Sequence, residues 1–191
     1  MADRHQFRAK WHDYNEGIYF ITICCANHIQ FFGSIRDDKM ALTQTGEIAV
    51  ACIEAIPQHF VDAEVWNYVV MPNHLHIVIA VGTRHGASAR QKPHGVAINL
   101  GCLKPKQHGA IQNQDFHHNT RLAVIINQLK STIKRETNKQ AIDFSWQERF
   151  YDNIIQNQHA YERIMYYIDT NVENWCYDRF NENRIEKTDE I

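Results

Sequence analysis

The chain has 191 residues and a formal net charge of −2, a length that suits one domain with a real core and leaves little room for a second. No stretch approaches the roughly 20 apolar residues that span a bilayer. The charged opening MADRHQFRAK leads into no signal-peptide core, so a cytoplasmic protein without membrane contact is expected. The cysteines (Cys24, Cys25, Cys52, Cys102 and Cys176) are odd in number and form no C-x-x-C pair, so neither a disulfide framework nor a zinc ribbon is implied.

In chain order, Gly17 to Cys25 (GIYFITICC) is β-branched and aromatic and reads as a strand. Thr45 to Ile56 reads as a helix, with Ile48, Cys52 and Ile56 recurring every four positions and Pro57 as its stop. Glu64 to Val70 and His74 to Val81 read as two strands. Between them Met71-Pro72-Asn73 supplies turn chemistry, so the pair is expected to form a hairpin. From about 84 to 119 the periodicity dissolves into Gly, Pro, Gln, Asn and His. This long loop is expected either to contact a partner or to lack order without one. Arg121 to Asn138 reads as a second helix with Leu122, Ile125, Ile126, Leu129 and Ile133 on its apolar face. Phe150 to Ile155 reads as a last strand, and His159 to Trp175 as a third helix with Ile164, Ile168 and Trp175 turned inward. Residues 1–177 are expected to form a single domain, and the charged residues 178–191 a frayed tail.

The first six elements match an α+β fold of the ferredoxin-like, split βαβ kind: an antiparallel sheet with helices on one face. The helix at the C-terminal end is additional.

Some residues suggest chemistry by position. His74 and His76 are two apart on a strand, so both imidazoles point to one face, as two ligands of one metal ion would. Imidazoles alone favour zinc or another transition metal. Tyr167 and Asn171 are one helical turn apart, which suits a nucleophile and an oxygen ligand. Tyr166 lies beside Tyr167, and periodicity leaves the choice between them open. The net charge does not announce nucleic acid, but Arg84 to Arg121 holds six basic residues against one acid. Lys130, Lys134 and Arg135 follow on the second helix, as candidates for phosphate contact or as an ordinary solvated face.

Val69-Val70-Met71-Pro72-Asn73-His74-Leu75-His76 resembles the hydrophobic-Met-Pro-Asn-His-x-His signature of REP-associated tyrosine transposases, within the one-tyrosine HUH transposases. Tyr167-Ile168-Asp169-Thr170-Asn171 is similar to the Tyr-Ile-x-x-Asn-Pro signature of the same family. Tyr19-Phe20-Ile21-Thr22, Phe32-Gly33, Leu129-Lys130-Ser131 and Trp146-Gln147-Glu148-Arg149-Phe150-Tyr151-Asp152 lie in the family's order.

The resemblance implies that His74 and His76 bind a divalent ion, Mg²⁺ or Mn²⁺, with Asn171 completing the site. It implies Tyr167 as the catalytic tyrosine of a nickase and strand transferase that forms a 5′-phosphotyrosine link. The implied substrate is single-stranded DNA with a hairpin beside the cut. A monomer is expected, with a homodimer as the alternative. Two departures stand out: Val172 replaces the family's proline, and the loop at 84–119 is long. The rival readings are a non-catalytic nucleic-acid-binding module on the same fold, a hydrolase of small phosphoesters, and a domesticated relative serving the host.

Overall fold

The computed structural model describes residues 12–82 and 120–185. The long loop anticipated at 84–119 lies outside these residues. The elements are β1 (Gly17–Cys24), β2 (Gly33–Arg36), β3 (Lys39–Leu42), α1 (Gln44–Glu54), the single turn α2 (Ile56–His59), β4 (Ala63–Val70), β5 (His74–Val81), α3 (Arg121–Lys139), β6 (Tyr151–Ile154) and α4 (Gln158–Asp169). Short 3-10 turns occur at Ala26–His28 and Trp175–Tyr177.

The main sheet runs β4-β5-β1-β6, and each neighbouring pair is antiparallel. This is the split βαβ order expected from the sequence. Alternation along the two central strands divides its side chains between two faces. Tyr19, Ile21 and Ile23 of β1 join Leu75, Ile77, Ile79 and Val81 of β5 in the main core, against Ile48 and Ile53 of α1 and Leu122, Ile125, Ile126, Leu129 and Ile133 of α3. The opposite face carries a smaller cluster in which Val78 packs with Ile155, Ile164 and Ile168, bringing α4 onto the sheet. Every residue of β5 is buried because helices cover both faces. For the same reason its sequence shows no polar face apart from the two histidines.

Several boundaries differ from those the sequence suggests. The helix preceding Pro57 ends at Glu54, and Pro57 sits instead in the first turn of α2, where its missing N–H costs nothing. The hairpin β2–β3 is absent from the sequence reading because its strands are only four residues each and Gly33 alone among them is buried, so no alternating apolar face forms. Its signal lies in the connection, where Asp37 and Asp38 take φ of 50° and 54°, the left-handed pair that a tight hairpin turn requires.

The last helix ends at Asp169 rather than reaching Trp175. There the Thr170 hydroxyl donates to the Tyr166 carbonyl, and the Asn174 amide donates to the Thr170 carbonyl. Side chains that bond nearby backbone compete with helix continuation. Nor does the chain fray at Asp178. Asp178 and Phe180 are buried, and the Asn181 amide donates to the Trp175 carbonyl. The charged composition of the tail hides these inward contacts.

Gly46 sits in α1, where alanine ordinarily stabilises a helix. A Cβ at this position would lie 2.2 Å from the backbone oxygen of Phe32. Gly46→Ala is therefore expected to lower the unfolding free energy by about 1–3 kcal/mol, read from urea denaturation. An unchanged or higher midpoint would show that the entrance to β2 yields freely.

Candidate metal and nucleophile site

The β4–β5 hairpin aims both histidines. His76 lies opposite Thr22 of β1 on one side and Val69 of β4 on the other, and His74 lies opposite Cys24. The turn between β4 and β5 is held by hydrogen bonds from Met71 N to the His74 carbonyl, from Phe32 N to the Pro72 carbonyl and from Cys25 N to the Asn73 carbonyl. Both imidazoles are fully enclosed, and their Nε2 atoms face each other at 3.1 Å.

Asn73 decides the state of His74. Its amide Nδ2 donates to the carbonyls of His28 at 3.0 Å and Phe180 at 2.8 Å. That fixes the amide orientation and leaves Oδ1 as an acceptor 2.9 Å from His74 Nδ1. His74 Nδ1 therefore carries the proton, and the Nε2 lone pair points at His76. On its far side His76 meets the Thr22 hydroxyl, 2.8 Å from Nδ1. A lone pair directed at a second imidazole nitrogen is satisfied by a shared proton or by a cation.

Oxygen ligands lie alongside. Asp178 Oδ2 is 3.9 Å from His74 Nε2, and ligand atoms of His74, His76 and Asp178 all fall within 4.8 Å of one another. This group can hold a metal ion. Asp178 Oδ1 accepts from Phe180 N at 2.7 Å, which fixes the carboxylate, while the Phe180 ring packs 4.6 Å from that of His74. Asn171 is buried, and its Oδ1 has no hydrogen-bond partner, so a second oxygen donor is free in the same region. The residues present fit a divalent cation: two imidazole nitrogens with neutral rings, one carboxylate and one unsatisfied amide oxygen.

Periodicity alone leaves Tyr166 and Tyr167 as alternatives, and the family resemblance points to Tyr167. Tyr166 is 72 % exposed and Tyr167 39 %. The Tyr167 hydroxyl reaches 3.3 Å from His76 Nε2 and 3.4 Å from Asp178 Oδ2. Its ring stands edge-on to Phe20 and 5.3 Å from the His76 ring. Asn171 lies just past the end of α4 rather than on it, and still falls beside Tyr167 because the chain turns there.

Lys130, Lys134 and Arg135 are not brought to this site. They ride on α3, whose apolar side packs against the other face of the sheet. Lys130 donates to the carbonyls of Gln147 and Glu148, Lys134 to that of Phe144, and Arg135 pairs with Glu136. The two lysines thereby fasten the segment leading into β6. Sequence reasoning missed Asp178, which lies in a charged stretch without periodicity. It also missed the role of Asn73, which reads as a turn residue. The Asx-turn pattern of an aspartate two residues before a buried aromatic was the available signal for Asp178.

Burial dominates the electrostatics. It holds His74 well below the usual imidazole range, with His76 and Arg179 adding to the effect. It brings His76 down to about 3, with Arg179 contributing. Burial raises the Asp178 carboxyl above its ordinary value, opposed by the Phe180 N–H and by Arg179. Burial also raises Tyr167, with the Asp178 charge acting in the same direction and the Asn171 amide and Arg179 against it. The histidines are thus neutral at physiological pH, and burial keeps the phenol protonated.

The chain is 30% identical over 178 residues to a protein of Haemophilus influenzae described only as uncharacterized, covering 92% of both chains. It belongs to the same family as that protein. No protein-family model matches the chain. Among solved structures, a REP-associated tyrosine transposase bound to a REP hairpin aligns over 87% of this chain and 72% of that one, with a TM-score of 0.50 and 17% sequence identity. The fold is therefore transposase-like. Among the described residues, no helix is long and apolar enough to cross a membrane.

Two predictions follow from burial and from the amide of Asn73. An imidazole with a folded pKa below its unfolded value of about 6.5 leaves the folded state with fewer bound protons than the unfolded state in acid. The metal-free protein should therefore lose stability as pH falls below ~6.5, by roughly 2 kcal/mol from His76 at pH 5, with that loss continuing toward its folded value of about 3 and His74 acting in the same direction. Urea titrations in EDTA at pH 7 and pH 5 measure this, and His76→Gln should remove the part contributed by His76. Equal stability at both pH values would contradict it. Asn73→Ala should release the His74 tautomer, visible in imidazole ¹⁵N shifts, and weaken Mn²⁺ binding by about 10–100-fold in calorimetry. Unchanged ¹⁵N shifts would mean that another group sets the tautomer.

Proposed function

We propose that this protein is a metal-dependent single-stranded DNA nickase and strand transferase that works through a 5′-phosphotyrosine intermediate on Tyr167. The observation that carries this reading is the Tyr167 hydroxyl standing 3.3 Å from His76 Nε2, the nitrogen that faces His74. A tyrosine used only for packing has no need to bring its hydroxyl to an enclosed pair of imidazoles beside a carboxylate. The transposase-like fold, and a solved relative of that fold with a REP hairpin bound to it, support DNA as the substrate.

In this reading His74 and His76 would hold a divalent ion, Mg²⁺ or Mn²⁺, with the unpartnered Asn171 oxygen, while Asp178 Oδ2 accepts from the Tyr167 hydroxyl. When bound, such an ion supplies Lewis-acid withdrawal of charge from a non-bridging phosphate oxygen. Tyr167 Oη attacks phosphorus as its proton passes to its hydrogen-bond partner Asp178 Oδ2, because His76 Nε2 would be committed to the ion. The new bond joins Oη to phosphorus, and the bond from phosphorus to the 3′ oxygen breaks. The 3′ oxygen takes up a proton and leaves as a free hydroxyl. The covalent link conserves the phosphodiester energy, so a 3′ hydroxyl of another strand can reverse the step without ATP. Asn73 and Thr22 keep the imidazole rings aligned throughout.

Incubation with Mn²⁺ and a hairpin-bearing single-stranded oligonucleotide should give a protein–DNA adduct that survives a denaturing gel. Tyr167→Phe should abolish the adduct, while Tyr166→Phe should leave it intact. His74→Ala and His76→Ala should each reduce cleavage by at least about a hundredfold, in line with the loss of several kcal/mol of charge stabilisation. An adduct formed by Tyr167→Phe would remove the assigned nucleophile. Cleavage without any adduct would favour simple hydrolysis.

A further inference from the structure

This inference rests on the function just proposed and concerns Arg179, which adjoins Asp178 in the chain. Its guanidinium carbon lies 4.4 Å from the centre of the Phe180 ring and 5.6 Å from that of Tyr151. The strand register shows where those rings stand. Tyr151 of β6 is opposite Thr22 of β1, and Thr22 is opposite His76 of β5, so the three share one rung on the site face of the sheet. The Phe180 ring packs against His74. Arg179 therefore stands over the site face, between the histidines and the edge strand β6.

Its surroundings are those of a cation without an anion. The side chain is exposed, and among the described residues it makes no ion pair. The neighbouring Asp178 uses Oδ1 on Phe180 N–H and turns Oδ2 to Tyr167. A guanidinium held over two aromatic rings has lost part of its rotational freedom and presents a planar fork suited to phosphate oxygens. Its charge is felt at Tyr167, Asp178, His74 and His76. A metal ion at the histidines and the guanidinium would repel one another unless an anion came between them, so the two cations together favour a phosphate in that position.

We propose that Arg179 grips a phosphate of the single-stranded substrate and holds it against the Tyr167 hydroxyl, with Tyr151 and Phe180 as the platform that aims the guanidinium.

Binding can be separated from cleavage in the Tyr167→Phe protein, kept in EDTA. Anisotropy titrations with a labelled mixed-sequence single-stranded oligonucleotide over a series of salt concentrations give both affinity and salt slope. Adding R179Q should weaken binding about tenfold and reduce the slope of log K against log salt by about 0.7, the value for one lost contact with single-stranded phosphate. R179K should keep the slope and lose part of the affinity, because an ammonium retains the charge without the fork. Thermal midpoints of the variants should match the parent, since the side chain is exposed. Equal affinity and slope in R179Q and parent would overturn the role of Arg179 while leaving the proposed function standing. Failure of the parent itself to bind the oligonucleotide would overturn that function and this inference together.

Discussion

The register between β1 and β5 governs nearly everything else in the molecule. Because side chains alternate across a strand, the pairing that sends Leu75, Ile77, Ile79 and Val81 into the main core also sends His74 and His76 to the opposite face. A slip of one residue would exchange the two sets. It would bury two imidazoles among isoleucines and expose the apolar row beneath α4. Several large side chains on each face of a fully buried central strand make that exchange prohibitively costly. The hydrophobic core thus fixes the site to within one residue, and the turn at Met71-Pro72-Asn73 only has to agree with it.

The second face shows why the site can be both enclosed and polar. α4 covers the end of the sheet near Val78 with Ile164 and Ile168, and then stops. The turns after Asp169 carry Asn171 beside Tyr167 and Asp178 back over His74. Enclosure keeps the imidazoles uncharged and ready as ligands. It also holds the tyrosine hydroxyl in its protonated form and makes the carboxylate reluctant to ionise. Each of these costs falls when a divalent charge enters, because the same low dielectric that disfavours isolated charges strengthens their attraction to a cation. A site of this kind is electrostatically suited to a divalent cation.

Much of this was legible in the sequence, for identifiable reasons. β1, the β4–β5 hairpin and α3 have long, regular patterns bounded by good turn or cap residues, and the sheet order followed from their sequence. The histidine pair was visible because a strand's period of two is unambiguous. Three things were hidden. The β2–β3 hairpin has little buried surface, so it leaves no apolar pattern. The end of α4 depends on Thr170 and Asn174 bonding helical carbonyls, which composition alone does not show. Asp178 and Phe180 reach the site through turns, and turns carry no period. The choice between Tyr166 and Tyr167 needed either a motif or the observed packing, since adjacent residues on a helix differ by only about 100°.

Asn73 has a wider consequence than the tautomer it sets. Through one side chain it joins the turn at His28, the hairpin that bears the histidines and the segment ending at Phe180. These pieces are separated by 45 and 107 positions in the chain. During synthesis both imidazoles emerge from the ribosome well before Tyr167, Asp178 and Phe180 exist. A nascent chain therefore carries a half-built ligand set with neither its carboxylate nor its phenol. The constellation comes into being only when the final segment docks, so the proposed chemistry would be reserved for the completed molecule.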